Sequence, residues 1–71
     1  MKVSDTNEFG LTLRNRRKAL GYTQKDLAEF CGFSVSFISD LERGKSTIEL
    51  GKALYIANLL GLDCSITARG E

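Results

Sequence analysis

The chain carries few residues able to do acid, base or metal chemistry: in 71 residues there is no histidine, and the only cysteines are Cys31 and Cys64. Neither a four-ligand zinc site nor a dense disulfide framework can be assembled from that set. No glycine-rich loop is placed to cradle a phosphate, and no nucleophile, base and oxyanion donors fall together in a core large enough to shelter them. An enzyme, a metal, a cofactor and a small-molecule substrate are therefore not expected. What the side chains do offer is patterned charge. Residues 10–25 carry Arg14, Arg16, Arg17, Lys18 and Lys25 with no acid, whereas residues 26–42 carry Asp26, Glu29, Asp40 and Glu42 with no base. The formal net charge of +1 hides this asymmetry, which can give a near-neutral protein a basic face.

The elements that must hold these side chains are marked by glycine. Gly21, Gly32, Gly44 and Gly61 each follow an apolar-periodic stretch, where a left-handed residue closes a helix. The starts agree: Thr23 with Asp26 three residues on, Ser34, and Ser46 with Glu49 in capping-box spacing. There is no proline. Helices are predicted at about 8–20, 24–31, 34–42 and 48–60. Phe9, Leu13, Leu20, Leu27, Cys31, Ile38, Leu41, Leu50, Leu54, Ala57 and Leu60 fall at helical spacing and supply one shared core. Gly51 inside the last helix costs roughly 1 kcal/mol against alanine. A chain this short has surface for one thin core, so residues 1–71 are read as a single domain that gains stability by oligomerising. The apolar run Ala53 to Leu62 is too short to span a bilayer and the N-terminus lacks a signal-peptide core, which predicts a cytoplasmic protein with no membrane partner.

After Gly61 the period changes from helical to alternating. Leu62, Cys64 and Ile66 interleave with Asp63, Ser65 and Thr67, which predicts a short strand over about 62–68. A strand needs a hydrogen-bonding partner, and the simplest is the same strand of a second copy, pairing antiparallel across a twofold axis. Leu62, Cys64 and Ile66 are thus the expected interface of a homodimer. Cys31 and Cys64 are both expected to be reduced, buried small hydrophobes.

The stretch Thr23 to Gly44 carries the most specific signal: Thr23-Gln24, Leu27-Ala28, Gly32, Ser34, Ile38-Ser39, Glu42 and Gly44. Ala28 lets the second helix cross close to the third, Gly32 supplies the backbone angle of a very short turn, and Ile38 locks the third helix onto the core. With Gly10, Arg17 and Gly21 upstream, these residues resemble the Cro/C1-type (XRE) helix-turn-helix family over roughly residues 9–61. The resemblance implies an all-α, four-helix, lambda-repressor-like domain that binds double-stranded operator DNA as a transcriptional repressor.

The same resemblance implies roles. Thr23 and Gln24, at the start of the second helix, offer free N–H groups and a helix dipole to a phosphate. Ser34, Val35, Ser36, Ser39 and Asp40 lie at the start and on one outward face of the third helix, which the family lays in the major groove. Val35 suits a thymine methyl, the serines either base edge, and Asp40 a cytosine N4; without that partner Asp40 is repulsive. Phe37 stands beside this face, against sugar, a methyl or helix two. Arg14, Arg43 and Lys45 flank the groove and hold phosphates, and Arg17 pairs with Glu42 as a structural salt bridge. Arg16, Lys18 and Lys25 read as a solvated face, although Arg16 stands where relatives often carry an apolar residue, which leaves its direction open. The face has no arginine, lysine, asparagine or glutamine for bidentate base contacts, so DNA deformability and bridging water are expected to share in recognition.

The Phe37-Ile38-Ser39-Asp40-Leu41-Glu42-Arg43-Gly44-Lys45 run, the fourth helix and the terminal strand also resemble HipB-type antitoxins. That resemblance implies a dimeric autorepressor that binds a HipA-type kinase toxin; the alternative is a free-standing XRE regulator without a toxin.

Overall fold

A computed structural model describes residues 2–70. Four helices follow one another: α1 (Thr6–Ala19), α2 (Gln24–Cys31), α3 (Val35–Glu42) and α4 (Leu50–Leu59), with no strand among the described residues. Helix α1 begins earlier than its apolar pattern suggests because Asp5 caps it, its carboxylate accepting from the Glu8 N–H at 2.8 Å. Thr23 and Ser34 cap α2 and α3 through their hydroxyls. Ser46 does not cap α4. The chain makes a further turn, with the Ile48 N–H on the Lys45 carbonyl, and α4 starts only after Glu49, which caps it without a side-chain bond.

Leu13, Leu27, Ala28, Ile38, Leu41, Ala53, Ile56, Ala57 and Leu60 form the core. Phe9 and Cys31 are only partly buried against it. Leu20, Leu50 and Leu54 stand exposed instead of joining it. Leu20 falls past the last turn of α1, and Leu50 is the first residue of α4 at the rim; in α4 the inward stripe is Ala53, Ile56, Ala57 and Leu60, one residue off the row that contains Leu50 and Leu54.

Helix α1 crosses α3 at unusually close range. A Cβ on Gly10 would fall onto the Leu41 carbonyl oxygen and 2.9 Å from that of Glu42, so the crossing depends on the missing side chain. The start of α1 is tied to the turn after α3 by the Thr6 hydroxyl, which donates to the Gly44 carbonyl at 2.8 Å. Arg16 is not a solvated side chain: it is half-buried and its Nε donates to the Leu60 carbonyl at 2.9 Å, joining the last turns of α1 and α4. Gly51 is the reverse of Gly10, since a Cβ there meets nothing within 4 Å. Gly51→Ala is therefore expected to stabilise by about 0.5–1 kcal/mol, a rise of several degrees in Tm measurable by thermal melting.

Residues 62–68 do not form the expected strand. Leu62 is half-buried, its N–H on the Ala57 carbonyl at 2.9 Å, but Cys64 and Ile66 stand in solvent, so Cys64 is not a buried hydrophobe. Alternation decides which side chains share a face; the ladder itself needs a second strand, which one chain does not contain. Between this tail and the α1/α4 face lies a groove of about 650 Å³ lined by Val3, Phe9, Leu54, Leu62, Cys64 and Ile66 among others.

Candidate nucleic-acid interface

Helices α2 and α3 meet through a turn built by local chemistry. At the start of α2, the Thr23 hydroxyl accepts from the Asp26 N–H at 3.0 Å while the Asp26 carboxylate accepts from the Thr23 N–H at 2.9 Å, a reciprocal cap. The Thr23 N–H, with the Thr23 hydroxyl beside it, holds the Asp26 carboxyl below its ordinary pKa. The cap takes up the Thr23 N–H, so Thr23 does not offer it to a phosphate as expected; the first N–H groups of α2 without an intrahelical partner are those of Gln24 and Lys25, which point outward from the helix end. At the other end, Gly32 takes the left-handed conformation, φ 76° and ψ 18°, with its N–H on the Ala28 carbonyl at 2.9 Å. A β-carbon is strained at that φ, which is why glycine stands there. Two residues later Ser34 caps α3, accepting from the Phe37 N–H at 3.0 Å.

With Ile38 and Leu41 turned inward, α3 presents its other side outward. Ser34, Val35 and Ser36 are exposed, and Ser39 and Asp40, one turn further along, are half-buried beside them. Phe37 packs its ring edge-on against Phe33, in the turn after α2, at 5.4 Å, and Lys52 of α4 lies 5.6 Å from its centroid. Phe33 in turn meets Tyr55 at 5.9 Å. Phe37 thus braces the outward face from the α4 side, a role that sequence spacing did not distinguish because Lys52 and Tyr55 approach from a distant element.

Behind α3 lies a buried ionic network. Arg17 and Glu42 are 6% and 8% exposed and form a two-pronged pair, Nε to Oε2 at 2.7 Å and Nη2 to Oε1 at 2.9 Å. Arg17 also donates to the Tyr22 carbonyl at 2.7 Å, and the Gln24 amide donates to Glu42 at 3.1 Å. Burial pushes the Glu42 carboxyl up, but the bonds from Arg17 and Gln24, with the charges of Arg17 and Arg14, overcome it and hold the group below its ordinary pKa. The network joins α1, the start of α2 and the end of α3, so it fixes the angle at which α2 and α3 are presented. It also occupies the Gln24 side chain, leaving the backbone N–H for an outside anion.

A family model described as helix-turn-helix matches residues 13–66, a span that contains every element of this arrangement. The chain belongs to the helix-turn-helix family. It is a DNA-binding transcriptional regulator of the XRE type and not an enzyme. It is similar to the uncharacterised HTH-type transcriptional regulator y4mF of Sinorhizobium fredii (strain NBRC 101917 / NGR234), 36% identical over 70 residues that span 99% of this chain and 92% of that protein. Its fold is similar to that of HipB in a HipB–O4 20mer complex, with TM-score 0.86 and 22% identity over 97% of each chain. A chain of the HipA–HipB–O2–O3 complex has the same fold, with TM-score 0.86, 22% identity and 97% of each chain covered.

In this helix-turn-helix protein the cations are unevenly disposed around α3. Arg14 is exposed on α1, near enough to influence Glu42. Arg43 and Lys45, just past the end of α3, are exposed and both pair with Asp40. The Asp40 carboxylate, expected to accept from a cytosine N4 and to repel DNA without one, thus already has two cationic partners within the protein. Lys18 and Lys25 are exposed on α1 and α2. No helix among the described residues is long and apolar enough to cross a membrane.

Proposed function

We propose that this regulator is a dimeric autorepressor and the antitoxin partner of a HipA-type kinase. Each protomer lays α3 in the major groove, with Ser34, Val35, Ser36, Ser39 and Asp40 facing bases and the Gln24 and Lys25 N–H groups facing a phosphate. Arg14, Arg43 and Lys45 supply further phosphate contacts. The observation that carries the antitoxin reading is the end-to-end fold likeness to HipB, which runs through the tail beyond α4. The solvent-facing Ile66 and Cys64, beside the groove on α1 and α4, support a second copy as the cover of that tail, with Leu62, Cys64 and Ile66 on the shared face.

The dimer is tested by sedimentation of the Cys64→Lys/Ile66→Lys variant. Monomers are expected, and a dimer that persists unchanged refutes the tail as interface. The partner is tested by co-expression with the neighbouring reading frame: a kinase-like product that co-purifies supports the antitoxin. A second reading, a free-standing regulator, is favoured by the 36% identical relative, which is named as a transcriptional regulator. A gene standing alone, with no kinase-like neighbour, decides for that reading.

A further inference from the structure

In the free protein the two cations at the end of α3 already have an anion. Arg43 donates to Asp40 Oδ1 at 2.6 Å, and Lys45 Nζ lies 3.5 Å from Asp40 Oδ2. The backbone closes on the same residue, the Lys45 N–H donating to the Asp40 carbonyl at 3.1 Å. The arginine and lysine side chains are 71% and 54% exposed, against 30% for the aspartate. The cations are therefore free to swing to another acceptor, while the carboxylate is held on the helix face it shares with Ser36. A DNA phosphate that recruits Arg43 or Lys45 competes with Asp40 for their charge.

We propose that Asp40 is a specificity gate: an internal substitute for phosphate that holds Arg43 and Lys45, and releases them to the DNA backbone only where a cytosine amino group takes over its carboxylate. The inference rests on α3 being the helix that enters the groove. At a matching site the exchange is balanced, since the cations gain phosphates while the carboxylate gains the cytosine N4 donor. Elsewhere no donor takes over the carboxylate, so the cations remain with it and the phosphates beside them go without their contacts. The penalty falls on non-cognate DNA, so a single acidic residue supplies discrimination on a face without bidentate base readers.

The test compares the full chain with its Asp40→Ala variant on two duplexes, the tightest wild-type binder selected from a randomised library and a scrambled sequence of equal length. Anisotropy titrations over a range of salt give affinity and slope. Asp40→Ala is expected to bind the scrambled duplex about 10-fold tighter, with a log–log salt slope steeper by about one to two, as one or two freed cations reach phosphates. The selected duplex gains less, so the ratio between the two falls, and library selection with the variant loses the cytosine preference. Adding Arg43→Gln and Lys45→Gln abolishes the gain. Scrambled-DNA affinity that does not rise, or a gain that survives in the triple variant, overturns the gate while leaving α3 as the reading helix. A wild-type chain that selects no duplex overturns the reading of α3 together with the gate.

Discussion

Glu42→Ala is expected to destabilise the protein by about 3–5 kcal/mol, because it leaves the Arg17 guanidinium buried without its anion. A domain of this size has a total stability of the same order, so the variant should be largely unfolded by circular dichroism at room temperature. The reason lies in burial. Exposed ion pairs of the kind seen at Lys52 and Glu49 are worth little, whereas Arg17 and Glu42 are almost fully removed from water and satisfy each other through two bonds. The joint replacement Arg17→Met/Glu42→Leu removes both charges at similar volume and should recover most of the loss; a double variant as unstable as the single would show that shape and not charge is responsible. The sign with pH follows from the carboxyl. Its pKa in the folded state lies below the ordinary value, so the pair's contribution is fully present above the ordinary carboxylate range and is lost as pH falls through the lower, folded value. Denaturant midpoints measured from neutral to acid pH should fall along that limb, and Glu42→Gln should flatten it.

The second large effect is expected from Gly10→Ala, which should destabilise by about 3 kcal/mol, the upper end for overpacking. Propensity alone predicts the opposite, since alanine is favoured over glycine by about 1 kcal/mol inside a helix. The sign is therefore diagnostic. The added methyl would meet two backbone carbonyls of α3, and backbone cannot rotate aside as the end of a long side chain can. Because the end of α3 is displaced, DNA affinity should fall along with stability. Gly51→Ala is the internal control: same substitution, open surroundings, opposite sign. Melting temperatures of the two variants measured side by side decide the matter, and a Gly10→Ala protein as stable as wild type would contradict the close crossing.

Much of this arrangement is legible in the residues because it is local. The Thr23 and Ser34 caps, the left-handed Gly32 and the inward Leu27, Ile38 and Leu41 need only neighbours three or four residues away, and each stands where spacing puts it. In α4 period alone does not choose the inward row: Leu50 and Leu54 also stand at helical spacing, but the buried stripe is Ala53, Ile56, Ala57 and Leu60 at i, i+3, i+4, i+7. The Ser46–Glu49 spacing imitates a capping box, yet the turn at Lys45–Ile48, with Ile48 partly buried against the core, delays the helix past it. Arg16 and the contact of Lys45 with Asp40 were illegible for a different reason. The acceptor of Arg16 lies 44 positions away, at the end of α4; Arg43 stands at i+3 from Asp40, a spacing the sequence does show, but Lys45 joins the pair only through the turn after α3. Sequence spacing also marks one face of the tail without supplying the strand that would cover it. In the site itself, the scaffold positions are strongly patterned, while the outward residues of α3 carry small and nearly uncharged side chains whose types alone do not dictate an operator.

That small reading face gives weight to the proposed dimer, in which two copies joined through the tail would hold two α3 helices on one side of the duplex. Hydroxyl-radical footprinting of the wild-type chain on the DNA upstream of its own gene tests this most directly. The expected result is two protected half-sites on one face, centred roughly 34–36 Å apart, with log affinity falling steeply with log salt. Protection of a single half-site, or occupancy indifferent to salt, would contradict it.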